Sequence, residues 1–530
     1  MSTMYTSIST DTPPYNDSIE KIAAAIGSLG LLALLISWAG VNLPNPAMWL
    51  YGSLALMFIG IVVFSARRYM TQPAGIKNHG NFFSGTVNRG LLGWTVGILV
   101  TGFYVCLYLK AEWLGLASDG GANSGMVGFF DPLSMAMKGK PASQWFVYGT
   151  LYTFAIIAFG IKFIMKYRHN KYHILRTISI MFFQLFLAYL IPEILEILNP
   201  ETATNYFGKD MKNMWPLNYD FFAEYQIVNM SRAGFLGYFF LILGLSMIFF
   251  ISPVLTYLYG KRWYCSWVCG CGGLAETAGD PYRHLSDKSM KAWKLERWMI
   301  HGVLLFSFVM TIAIVYGYLP NKDTFWLNRT SFTILVSVLL IGLAGAYYFL
   351  QDKNDEDYDM KVTYIVGGSV IAVAILLLIN WFSGSSNAFF LQNYTFRSIY
   401  GMYIGAVFSG IIGVGFYPIL GNRVWCRFGC PMAALMGVQQ KLLSRFRITT
   451  NGSQCISRGN CSTYCEMGID VRAYAQKGQN IVRASCVGCG VCSAVCPRGV
   501  LRLENGSIDI FSKTSEMKVA MIPESEVGIL

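Results

Sequence analysis

The chain has 530 residues, 54% of them hydrophobic and 13% charged, and a formal net charge of +12. Soluble domains carry about 25% charged residues, so an ordinary globular protein is excluded and the bilayer is the expected solvent. The positive balance comes without a nucleic-acid motif and reads as the Lys/Arg bias of membrane-protein loops; no nucleic-acid partner is expected.

Residues 1–20 are polar, show no cleavable signal pattern and read as a short cytoplasmic tail. Ten apolar runs follow, at 22–43, 47–66, 91–109, 144–165, 174–195, 233–259, 298–318, 331–350, 362–383 and 399–420. A bilayer core about 30 Å thick takes about 20 apolar residues per helix, so each run predicts a transmembrane helix. The fifth ends with Pro192, Glu193 and Glu196. These carboxylates read as an interfacial cap, with a proton exit as the rival.

With both termini cytoplasmic, the inner loops 67–90, 162–176, 261–297 and 351–361 carry 18 Lys and Arg, against 9 in the outer loops 110–143, 193–232, 319–330 and 384–398. That bias sets the expected orientation and puts every clustered cysteine in the cytoplasm. The long outer loops read as turns and interfacial packing, or as docking for an extracytoplasmic redox partner. The predicted fold is an all-α polytopic membrane protein with a small C-terminal α+β domain. Its divisions are the tail 1–20, helices one to five in 21–200, an outer loop 201–232, helices six to ten in 233–444, a polar domain 445–505 and a second tail 506–530.

Of thirteen cysteines, Cys106 lies alone in an apolar run and reads as packing. The other twelve lie in short spacings between Cys265 and Cys496. The run Cys486-x2-Cys489-x2-Cys492-x3-Cys496-Pro497 is the spacing that wraps a chain around a [4Fe–4S] cubane; Gly488 and Gly490 let amides approach the sulfurs. A structural zinc site is the rival. An earlier run, Cys455-x5-Cys461-x3-Cys465, fits the same pattern except that Arg458 stands at its second position.

Two further segments, 161 residues apart, each directly follow an apolar helix. GKRWYCSWVCGCGG carries Arg262, Cys265 and Cys269; GNRVWCRFGCPMAA carries Arg423, Cys426 and Cys430. This is an internal repeat. Its x3 spacing is expected to set two thiols on one helical face, one turn apart. Two such faces together supply four thiolates at the membrane boundary, enough for one iron–sulfur cluster or one soft metal ion such as copper. Arg262, Arg423 and Arg427 are expected to favour thiolate. Cys271 is an extra thiol and an alternative ligand.

The paired runs after residue 445 resemble a bacterial two-cluster ferredoxin. That resemblance implies that Cys486, Cys489, Cys492 and Cys465 hold one [4Fe–4S] cluster, and Cys455, Cys461 and Cys496 a second. Arginine has no acceptor to replace a thiolate. The second site therefore holds a [3Fe–4S] cluster, or a [4Fe–4S] cluster with Ser457 or water as fourth ligand, or nothing; an occupied site is favoured. The Cys-x3-Cys segments followed by such a domain resemble the membrane polyferredoxin family, over about 233–505. Members include the quinol-linked membrane ferredoxin of periplasmic nitrate reductase systems, the membrane regulator of nitrous-oxide reductase and the assembly ferredoxin of haem–copper oxidases.

The family implies a bacterial inner-membrane protein that relays electrons between its ferredoxin domain and quinone or a membrane or extracytoplasmic partner, such as a respiratory complex. The alternative is a maturation factor that reduces or delivers copper. Catalysis by acid–base side chains is not indicated. Of five histidines, His79, His169, His173, His284 and His301, none suits a buried bis-His haem. His169, His173 and His284 read as solvated or interfacial, while His301 reaches a position where it could face a quinone. The basic aromatic stretch 282–298 suits a helix lying on the anionic inner leaflet.

Overall fold

The computed structural model describes residues 18–71, 89–118, 121–198, 211–320, 327–350 and 360–506. Most of both predicted tails and His79 lie outside the described residues. Among the described residues, nine helices are long and apolar enough to cross a membrane: Ser18–Trp38, Pro46–Met70, Leu91–Leu109, Gln144–Lys166, Lys171–Leu198, Gly234–Tyr259, Met290–Tyr318, Arg329–Phe349 and Thr363–Phe382. The protein is thus a multi-pass membrane protein. The tenth predicted span, 399–420, is a broken element. An α-helix Asn393–Tyr400 opens into a π-helix Gly401–Ile412, and a short helix Tyr417–Leu420 follows after turns. Polar Asn393 and Arg397 dilute its first turns. Helix Lys171–Leu198 runs through Pro192 because a π-helical stretch, Gln184–Leu190, precedes the proline and absorbs the displaced backbone pairing.

Among the described residues, parts of the stretches expected as outer loops are structured. Residues 110–143 contain a helix Gly125–Lys138 that buries Met126, Val127, Phe129 and Phe130. Its Lys138 pairs with Glu193 at 2.9 Å and Glu196 at 3.6 Å, so these carboxylates form interfacial ion pairs. The segment from Met211 dives into the bundle. Its backbone N–H donates to the Leu187 carbonyl, Trp215 Nε1 donates to Thr311 Oγ1, and Tyr219 lies on Gly401 and Gly405. The Gly401-x3-Gly405 pair therefore admits a tyrosine rather than another helix.

The C-terminal domain closes with two antiparallel strands, Phe446–Thr450 and Leu501–Asn505, in the register Phe446 to Asn505 and Thr450 to Leu501. A fully buried charge network holds this domain on the bundle. Glu466 pairs with Arg283 at 2.7 Å and Arg423 at 3.0 Å, and Arg423 pairs with Glu276 at 2.6 Å. Arg176 pairs with Glu276 and donates to the Cys489 carbonyl. Arg283 also pairs with Asp280 at 2.8 Å, and Asp280 with Lys166. Burial alone would raise the Glu466 carboxyl, but Arg283, Arg423 and Arg176 overcome it and hold it down to about 2.

Removing one member of such a network strands its partners without compensation. Glu466→Gln should lower stability by about 3–5 kcal/mol, read as a fall in thermal midpoint in detergent. Glu504→Gln, an exposed acid on the same domain, should leave the midpoint unchanged.

Candidate iron–sulfur centres

All thirteen cysteines are free thiols, and the twelve beyond Cys106 belong to one packed cluster. Cys106 is buried in a separate apolar cluster.

The two repeated segments begin alike. Each helix ends at a glycine in a conformation open only to glycine: Gly260 has φ 66° and ψ 177°, Gly421 φ 98° and ψ 170°. The expected single helical face, however, is not formed. Cys265 ends a short helix, Arg262–Cys265, while Cys269 is extended and starts the next helix, Gly270–Thr277. Cys426 lies in the π-helical turn Trp425–Gly429, and Cys430 is the extended N-cap of helix Pro431–Leu443. The chain breaks between the two cysteines of each pair because the second residue starts a new helix, with Pro431 at N1 in one copy. The break still brings the pairs together: Cys265 has Cys269 and Cys426 as electrostatic neighbours, and Cys430 has Cys426, Cys265 and Cys269. All four are buried.

Cys271 adds a fifth thiol. Its hydrogen bond to Cys269 holds that thiol down to about 6 against the effect of burial. Burial pushes Cys265 up to about 12 and Cys430 well above the usual thiol range. As free groups Cys265 and Cys430 stay protonated near neutrality, unlike Cys269, and a bound cationic centre would make them thiolates. The surroundings fit such a centre. The Ala433 amide donates to Cys430 Sγ at 3.4 Å, and Arg423 Nη1 to Cys426 Sγ at 3.5 Å.

Of the three arginines expected beside the thiols, only Arg423 reaches a sulfur. Arg262 lies over Phe446, 4.5 Å from the ring centroid, and donates to Asn505 Oδ1, because its segment faces the C-terminal domain. Arg427 donates to Glu296 at 2.6 Å. Sequence reasoning missed Lys261, 1% exposed and acting on both Cys265 and Cys486, as well as Lys212 beside Cys269 and Lys288 beside Cys465.

In the C-terminal domain, Cys465, Cys486, Cys489 and Cys492 line one small apolar cavity with Ile448, Met467 and Ile481. The Ile469 amide donates to Cys465 Sγ at 3.4 Å. Ligand atoms of Cys489, Glu276 and Glu466 lie within 4.8 Å of one another, so the charge network touches this thiol group directly. The other three, Cys455, Cys461 and Cys496, are half-buried, and Cys461 has Cys496 and Cys455 as neighbours. Here the backbone repeats although the sequence does not. Ser457 takes φ 58° where the second run has Gly488 at φ 63°, and the following turns start at Gly459 (φ 82°) and Gly490 (φ 80°). Arg458 is exposed, and Ser457 Oγ accepts a hydrogen bond from Gln476 at 2.7 Å.

Helix Lys171–Leu198 measures the depth of these groups. Tyr172 donates to the Gly488 carbonyl and Arg176 to that of Cys489; Ser179 donates to Trp267. Further along, a Cβ on Gly270 would lie 2.5 Å from Gln184 Oε1 and 3.2 Å from Lys212 Nζ. Eight residues of helix rise about 12 Å. Gln184 is midway along the 28-residue span. The segment after Cys269 is therefore packed against the middle of this helix, with Lys212 of the Met211 segment beside it. Tyr264 bridges the two by donating to the Lys212 carbonyl at 3.0 Å.

Among the histidines, His173 is fully buried against Phe163, Tyr167 and Tyr172, contrary to its expected solvated role, because the C-terminal domain covers that helix end. His169 is exposed and His284 half-buried. His301 Nδ1 bonds to the Arg297 carbonyl at 2.6 Å. The stretch 282–298 does not lie flat: a turn of 3₁₀ helix, Asp280–Leu285, leads into Met290, where the membrane helix already begins.

Comparison with known proteins follows the same divisions. A family model described as a 4Fe-4S binding domain matches residues 242–289 and again 402–449, the two repeated segments. Another, also described as a 4Fe-4S binding domain, matches 480–502. The Escherichia coli (strain K12) protein named "Putative electron transport protein YccM" is 24% identical over 257 residues, 48% of this chain and 53% of its own length. The chain thus spans about half the length of this curated relative. No solved structure matches. The repeated segments and the C-terminal domain are thus similar to 4Fe-4S binding domains, and about half of the chain is similar to a protein named for electron transport.

Proposed function

We propose that the chain carries electrons part-way or fully across the cytoplasmic membrane, through three thiol groups set at increasing depth. Cys455, Cys461 and Cys496 face solvent; Cys465, Cys486, Cys489 and Cys492 lie behind them; Cys265, Cys269, Cys426 and Cys430 lie deepest. Iron–sulfur clusters held there supply reversible one-electron chemistry. The protein's part is placement, desolvation and charge. Ser266 Oγ donates to the Val487 carbonyl at 2.8 Å, so residues adjoining Cys265 and Cys486 are one hydrogen bond apart. Gln440 ties Lys261 to the Cys486 carbonyl, with bonds of 2.8 Å on each side.

The observation that carries this reading is the contact order along helix Lys171–Leu198: C-terminal domain first, repeated cysteine segment next, Met211 segment last. The positive-inside bias supports a cytoplasmic C-terminal domain. The last contact favours a partner on the opposite face, a redox protein or a quinone, as the other terminus of the relay. A second reading, copper reduction or delivery for a respiratory enzyme, is favoured by one feature: the fifth thiol, Cys271, bonded to Cys269.

Metal analysis separates the two. Anaerobically purified Cys426→Ser/Cys430→Ser protein should lose about four irons and matching sulfide per chain, while the ferredoxin-type signals persist. Copper bound at these positions in the wild type, with no iron lost in the variant, would defeat the relay.

The solvent-facing group has its own test. We propose that it holds a three-iron cluster, since its backbone keeps the cluster-wrapping conformation while Arg458 stays exposed. The oxidised wild type should then show a [3Fe–4S] signal by EPR. Arg458→Cys should abolish that signal and add about one iron per chain. A wild type silent in the oxidised state would contradict the assignment.

A further inference from the structure

Five aromatic rings run from the Cys269 segment to the N-terminal end of helix Gln144–Lys166. The file starts at Tyr152. A Cβ on Gly270 would lie 3.4 Å from Tyr152 Cε1, and Cys271 is an electrostatic neighbour of both Tyr152 and Tyr148. The ring centroids of Tyr152 and Tyr148 are 5.2 Å apart, and those of Tyr148 and Trp145 6.5 Å. A second branch leaves Tyr148 for Tyr104, Tyr108 and Trp145, in steps of 6.0, 6.2 and 5.4 Å. Each step lies within the usual range of paired rings, about 4.5–7 Å.

Sequence spacing builds the file. Trp145, Tyr148 and Tyr152 share one helical face, and Tyr104 and Tyr108 are one turn apart on helix Leu91–Leu109. A glycine lets a third element close on them: a Cβ on Gly410 would lie 2.5 Å from Tyr108 and 2.8 Å from Tyr104. The helix gives the file a direction. Its Lys166 end pairs with Asp280, in the charge network that holds the C-terminal domain. Trp145 is about 30 Å of helix away from that end, and 49% exposed. An exposed tryptophan at a helix end is ordinary in a membrane protein. That belt does not account for rings that continue along the helix, about 10 Å from Trp145 to Tyr152, and end on a thiol segment.

We propose that this file of rings is the exit of the relay. It carries one electron between the centre held by Cys265, Cys269, Cys426 and Cys430 and a one-electron acceptor at Trp145. The inference rests on the relay reading above and adds its path. Tunnelling falls off faster across a gap than along bonded atoms, and each ring fills a gap with bonded carbon. The centre loses the electron and the acceptor gains it. No ring is oxidised on the way, and no proton moves. Tyr148 is the joint of both branches, so the file depends on it most.

The test uses full-length protein in nanodiscs, with a ruthenium polypyridyl label on Trp145→Cys. A flash with a sacrificial amine leaves the label reduced, and bleaching of the cluster absorbance times the arrival of its electron. The path is the same in either direction. The label should reduce the centre, and adding Cys426→Ser/Cys430→Ser should remove that phase. Tyr148→Leu should slow the phase several-fold, and Tyr148→Phe, which keeps the ring, should restore it. A second label, on Trp49→Cys, starts from the same end of the bundle, because Tyr69 at the other end of its helix accepts a hydrogen bond from Arg168. Its rate should not respond to Tyr148→Leu. An unchanged rate from Trp145→Cys in Tyr148→Leu would overturn the exit and leave the relay standing. So would a Tyr148→Phe as slow as Tyr148→Leu, or equal slowing from both labels. Full iron content in Cys426→Ser/Cys430→Ser would defeat the relay itself, and the exit with it.

Discussion

A sulfur atom that binds iron must be anionic, and an anionic sulfur inside an apolar bundle is costly unless cations and N–H donors surround it. Much of the polar architecture follows from that constraint. Lys261 and Arg423 are buried beside the thiols, and the Ala433 and Ile469 amides point at sulfur. Buried arginines need their own compensation. Glu276 and Glu466 supply it, and these carboxylates come from the two halves that must stay in register, the cysteine repeat and the C-terminal domain.

The C-terminal domain is therefore no loose appendage. Its inner thiol group lies against the end of helix Lys171–Leu198, and its Val487 carbonyl is bonded to the residue after Cys265. Electron transfer weakens steeply with distance, so fixed seating serves the proposed relay better than a tethered domain would. The first five helices also gain a role. Two of them, Gln144–Lys166 and Lys171–Leu198, form the socket into which helix Gly270–Thr277 packs through Ile156, Ile180 and Leu274.

Much of this was legible in the chain itself. Length and apolarity gave nine of the spans, and cysteine spacing marked the thiol groups. What spacing could not give was the packing of each repeated segment: the chain turns at Gly260 and Gly421, and the segment after Cys269 packs against helices Gln144–Lys166 and Lys171–Leu198. The charge network was also missed. A signal existed: in a chain with so few acids, Glu276 and Glu466 stand close to cysteine motifs, and Glu466 directly follows Cys465. Reading them as partners of Arg176 and Arg283 required tertiary contacts between residues far apart in sequence. The tenth span, 399–420, differs for a simpler reason: the π-helix ends at Ile412, and its helical extension runs back through polar Asn393 and Arg397 instead of onward through apolar residues.

The account turns on whether the deepest thiol group and the inner ferredoxin-type group are close neighbours carrying iron. EPR of the anaerobically reduced full-length protein tests this most directly, because paramagnetic clusters in adjacent sites couple. Broadened, split signals from interacting [4Fe–4S] centres are predicted. A spectrum that is a simple sum of isolated clusters, or that lacks clusters beyond the C-terminal domain, would contradict it.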